Sequence, residues 1–92
     1  MKTAKLIKDN LEGFAGHASL YEVNPPVEGE KGKKHKFVVC STANAMFTGI
    51  ETFIFSANNK GKILSWLELD GSARRTTSHE KVLNNAGYTL IK

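Results

Sequence analysis

Eight glycines and the pair Pro25-Pro26 cut this chain into short pieces, and that punctuation limits it to brief elements joined by turns. Between the breaks lie segments rich in β-branched and aromatic residues, which suit a pleated, half-buried surface. "HASLYEV" (17–23) alternates, with Ala18 and Leu20 on one side and Ser19, Tyr21 and Val23 on the other. Pro25-Pro26 is expected to end that strand, because proline cannot donate to a central ladder. "HKFVVCST" (35–42) is almost continuously apolar, the pattern of a central strand covered on both faces. "ETFIFSA" (51–57) sets Phe53, Phe55 and Ala57 against Thr52, Ile54 and Ser56. "NNKGK" then offers asparagine and glycine at a hairpin turn. "ILSWLEL" (63–69) follows, with Ile63, Ser65, Leu67 and Leu69 alternating against Leu64, Trp66 and Glu68. Four such strands in series read as an antiparallel meander. "AKLIK" (4–8) fits either a first strand or a frayed helix.

The pattern changes after Gly71. Thr77-Ser78-His79-Glu80 fits a capping box, in which Thr77 accepts from the Glu80 amide and Glu80 reaches back. Val82, Leu83 and Ala86 fall at helical spacing on one side. Gly87 suits the left-handed stop, with Tyr88 placed to touch Leu83 in a Schellman closure. "YTLI" can add a last short strand. The stretch "DGSARRTTSHEKVL" (70–83) is therefore mostly explained by helix initiation; Arg74 and Arg75 belong to its loop.

The fold class that follows is α+β: a small antiparallel sheet of four to six strands with one short helix near 78–86. The sheet is expected either to curl into a partly open barrel or to pack on that helix. The chain reads as one domain, 1–92, of a size that buries roughly 60–65% of its unfolded surface. Its expected core is Leu20, Phe37, Val39, Phe53, Phe55, Leu67, Leu69, Val82 and Leu83. With 40% apolar and 24% charged residues it has the composition of a globular domain.

Cys40 is the single cysteine, so neither an intrachain disulfide nor a thiolate-rich zinc site can form. Its neighbours in "FVVCS" predict a buried, inert thiol. "MKTAKLIKDNLEG" has no continuous apolar h-region, and no run reaches membrane-spanning length. The expectation is a soluble, cytoplasmic protein. A net charge of +4 favours acidic partners slightly.

For catalysis the requirement is convergent titratable groups. His17, His35 and His79 show no metal-ligand spacing, the nine carboxylates are scattered, and no phosphate-cradling loop is present. The reading is therefore a non-enzyme with no metal and no cofactor. A thiol enzyme would require Cys40 or a histidine in a cleft.

Two binding readings remain. The leading one is a non-catalytic module for protein–protein contacts, with a protein partner or a second copy of the chain. It rests on Met46 and Phe47, two large apolar residues within the polar connection "STANAMFTGIE" (41–51), and on Trp66 should it stand on the outer sheet face. The alternative is binding of single-stranded or non-specific nucleic acid. Lys31, Lys33, Lys34 and Lys36 form one basic cluster, Arg74 and Arg75 a second, and strand aromatics could supply stacking platforms.

Overall fold

The structure is a computed structural model, and it describes residues 2–14, 16–29, 32–45, 49–66, 69, 71–76 and 78–91. Six strands and one helix follow one another as β1 (Thr3–Lys8), β2 (Ala18–Glu28), β3 (Lys34–Ala45), β4 (Gly49–Ala57), β5 (Ala73–Arg74), α1 (His79–Asn85) and β6 (Thr89–Ile91). They form one curled, half-barrel sheet in the order β5-β4-β3-β2-β1-β6. Every pairing is antiparallel except that of β6 with β1. The α+β class is thus observed. Residues 4–8 are strand, and the last short strand forms at the β1 edge.

The helix ends as its sequence predicts. Gly87 has φ 95°, the Gly87 amide donates to the Asn84 carbonyl at 2.9 Å, and the Tyr88 amide donates to Leu83 at 2.9 Å, which is a Schellman closure. Its start differs by one residue. Ser78 is the N-cap, and its hydroxyl accepts from the Lys81 amide at 3.1 Å. Thr77 lies outside the described residues.

Two strand boundaries are corrected. β2 runs past Pro25-Pro26 to Glu28, because both prolines fall between Glu22 and Val27, where the ladder with β3 is interrupted. A missing N–H costs no ladder bond there. The described residues of the predicted fourth strand, 63–66 and 69, do not form a strand. The Asn58–Lys62 turn forms, with Asn58 Oδ1 accepting from the Lys60 and Lys62 amides. Beyond it, Ile63 makes an isolated bridge to Ala57 and the Leu64 amide donates to Ser56. The Leu69 amide donates to the Ile54 carbonyl at 2.8 Å. Five steps of chain thus match two on β4, which breaks strand register. The rest of that edge is filled by Ser72, whose hydroxyl accepts from the Ile54 amide at 3.0 Å, and by the two residues of β5.

The core also differs from expectation in which side of the sheet the helix takes. Val82 and Leu83 pack on Ala4, Tyr21, Val23, Val38, Cys40 and Ile54, with Tyr88 closing the end. These strand positions alternate with the expected ones. The helix lies on the side with mainly smaller and branched side chains, where its backbone comes close to the sheet. On the opposite side a smaller cluster of Ala18, Leu20, Val39 and Ala57 is covered by Leu11, Phe14, Phe37 and Ile63. Leu20, Val39, Phe55, Val82 and Leu83 are buried as expected; Phe37, Phe53 and Leu69 are only half-buried, and Leu67 lies outside the described residues.

Candidate functional site

The side of the sheet away from α1 carries the rings. Register places Phe53 opposite Ser41 and Phe55 opposite Val39, in line with Leu20 on β2 and Lys8 on β1. Phe53 and Phe55 stack at 5.9 Å between centroids. Trp66 meets Phe55 edge-on at 5.2 Å and Phe14 at 6.2 Å. Two phenylalanines, Phe14 and Phe55, therefore hold the indole, with Phe53 stacked on Phe55, yet Trp66 remains 68% exposed and Leu64, two positions before it, 53% exposed. Ile63 and Ser65 are half-buried while Leu64 and Trp66 are exposed, so residues 63–66 keep the expected alternation although they form no strand. Met46 and Phe47, the other residues of the protein-contact reading, lie outside the described residues.

The two basic clusters do not converge. Lys34 begins β3, whereas Arg74 pairs with Glu51, which pairs with Ala43 near the other end of β3. Nine residues of strand separate Lys34 from Ala43, about 30 Å at 3.3 Å per residue. The whole molecule is 34 Å long. Arg74 is further held by Glu51, its Nε donating to Oε1 at 3.1 Å, while Arg75 is exposed in the left-handed region at φ 62°. Lys33, Lys34 and Lys36 are exposed, and Lys31 lies outside the described residues.

A polar cluster sits on the helix side, and sequence reasoning did not assemble it. His17, Ser19 and Tyr21 share one face of β2 and its lead-in. The Ser19 hydroxyl donates to Asp9 Oδ1, and His17 Nε2–H donates to the same oxygen at 2.6 Å. These two donors, Ser19 first, hold the Asp9 carboxyl down to about 2. Docking of α1 brings His79 over this group. Its ring stacks on His17 at 4.6 Å and 17°, and its Nδ1 shares a hydrogen bond with the Tyr21 hydroxyl at 3.1 Å. His79 is 6% exposed, and its Nε2 has no hydrogen-bond partner. Burial, and then the His17 ring, push its pKa down; the His17 carbonyl and Asp9 act weakly in the other direction. Burial and then the neighbouring Cys40 push the Tyr21 phenol up to about 12. The visible signal was the spacing 17, 19, 21; Asp9 and His79 arrive only through the fold.

In a nucleophile–base–acid relay the hydroxyl faces one imidazole nitrogen and the carboxylate the other. Here Ser19 and His17 meet the same carboxylate oxygen, and Ser19 is fully buried. The cluster is built as a clamp that fastens the 9–17 segment to β2 and α1 to the sheet. Cys40 is buried, as its flanks predict, and burial pushes its thiol up. Among the described residues no group of three or more His, Cys, Asp or Glu side chains is arranged to hold a metal ion, and no helix is long and apolar enough to cross a membrane. Comparison of the chain with protein-family models, with curated proteins and with solved structures finds no match in any of the three.

Proposed function

We propose that this chain is a non-catalytic protein-binding module whose contact surface is the ring-bearing side of the sheet around Trp66. The observation that carries the reading is an indole 68% exposed and resting on Phe14 and Phe55, with Leu64 53% exposed two positions before it. Tryptophan in a rigid apolar setting is the residue type that dominates binding energy at protein interfaces. Contiguous exposed apolar surface of this kind marks interaction sites. Nucleic-acid binding through the 31–36 loop and Arg74/Arg75 is less well supported, because the two clusters stand near opposite ends of β3.

The test is Trp66→Ala, in quantitative affinity capture from the native cell. A third of the side chain's ~250 Å² is buried, so truncation costs at most about 2 kcal/mol at ~25 cal/mol per Å². A domain stable by about 5–10 kcal/mol stays folded after that loss. The expected result is a folded variant that no longer retains the proteins captured by the unaltered chain. Equal recovery of the same proteins by both would reject the reading.

A further inference from the structure

Beside Trp66 lies a cleft of about 350 Å³ lined by Lys8, Leu11, Glu12, Phe14, Lys60, Gly61 and Lys62. Phe14 is common to both features, since it forms part of the cleft lining and also contacts the indole. Three lysines therefore line a mainly polar cleft whose apolar part, Leu11 and Phe14, continues through Phe14 to the most exposed aromatic ring among the described residues. Among the described residues the only acid in the lining is Glu12. Among the described residues the ion pairs are His17–Asp9 and Arg74–Glu51, so none of these lysines has a carboxylate within pairing distance there. Lys5 stands on the same side of β1, one row further along the sheet.

We infer that this surface takes a linear, acidic peptide segment of a partner protein, with an apolar side chain laid on Trp66 and carboxylates set among Lys8, Lys60 and Lys62. The inference rests on the binding role proposed for Trp66 and adds the chemistry of the partner. A second copy of the chain fits poorly, because it carries the same lysines and a net charge of +4. Single-stranded nucleic acid fits less well for a geometric reason. Successive bases need several open ring faces along a basic track. Here Phe55 is buried, Phe14 and Phe53 are half-buried, and the lysines gather round one cleft.

Trp66 is the single tryptophan, so its emission reports on the site directly. The experiment titrates the full chain with three probes that lack tryptophan: a short peptide alternating Asp or Glu with Leu, the same peptide with Lys for each acid, and an oligothymidine strand. The acidic peptide is expected to move the Trp66 emission to the blue, with an affinity that falls as salt is added. The triple variant Lys8→Gln, Lys60→Gln, Lys62→Gln changes exposed side chains only, and its thermal unfolding serves as the check that it folds. It is expected to raise Kd about tenfold, equivalent to about 1.4 kcal/mol. Equal binding of the basic peptide overturns the acidic partner while leaving the role of Trp66 intact. Tighter binding of oligothymidine than of the acidic peptide overturns the peptide in favour of nucleic acid. No response to any probe, in a chain whose cell partners are still lost with Trp66→Ala, overturns the inference but not the reading beneath it.

Discussion

Acidification to pH 5 should weaken the fold through His79, and the sign follows from its surroundings. The imidazole is buried at the first position of α1, against His17 and with Nε2 unpartnered. A proton there charges a buried ring beside another imidazole and at the positive end of a helix. The folded-state pKa thus lies below the ordinary 6.5, and the unfolded chain binds the proton more readily. Stability is complete above pH 6.5 and is lost as pH falls from there toward the folded-state value. One group sets a ceiling of about 1.4 kcal/mol per pH unit. Solvent at the half-open His17 screens part of this, so about 1 kcal/mol is expected between pH 6.5 and 5. The assay is urea unfolding at constant ionic strength from pH 7.5 to 5, for the unaltered chain and for His79→Gln. The glutamine can still bond the Tyr21 hydroxyl but does not titrate. Its stability should change less with pH over this range. A chain as stable at pH 5 as at pH 7.5, or a variant with an undiminished slope, would refute the argument.

Three further outcomes follow from the packing. Ile54→Ala, at a residue 1% exposed beneath α1, should cost about 2–5 kcal/mol in urea unfolding, whereas Ile50→Ala on the same strand, 40% exposed, should cost about 1 kcal/mol or less; equal costs would contradict the placement of the helix. Gly16→Ala would drive a methyl group into the Thr42 carbonyl oxygen, which cannot retreat without straining the Thr42–His17 hydrogen bond. A loss of about 2 kcal/mol, or about 8–16 °C in melting temperature, is expected, and an unchanged melting temperature would count against this approach of backbones. Cys40 should react with a thiol reagent only at the rate of unfolding, because it is buried and its thiol pKa is raised; rapid labelling of the folded chain would show an open site.

Local signals carried most of the architecture. Alternation located β2, β3 and β4, the Asn58–Lys62 turn closed as its residues require, and Gly87 stopped the helix where a left-handed residue fits. What alternation alone could not decide is which side of the sheet receives the helix. β3 is apolar on both faces and β4 offers phenylalanines on one and Ile54 on the other, so size favoured the rings while helix packing took the smaller side chains. The segment 63–69 failed for a related reason. Its alternation is strand-like, but Ser72 and β5 complete the β4 edge, and the bonds from Leu64 to Ser56 and from Leu69 to Ile54 span five steps of chain against two of β4. The polar cluster was half legible. Residues 17, 19 and 21 share a face by spacing, but Asp9 is brought in by a loop and His79 by the docking of α1 across 58 residues from Tyr21. The separation of the two basic clusters is likewise a property of strand register rather than of composition.

The account turns on where Trp66 stands, and collisional quenching of its fluorescence by acrylamide measures that without any partner. An indole resting on Phe14 and Phe55 but 68% exposed should be quenched in the folded chain nearly as readily as in the unfolded one, with the emission of a water-exposed ring. Strong protection in the folded state, with blue-shifted emission released only on unfolding, would put Trp66 in the core and remove the surface on which the proposed binding depends.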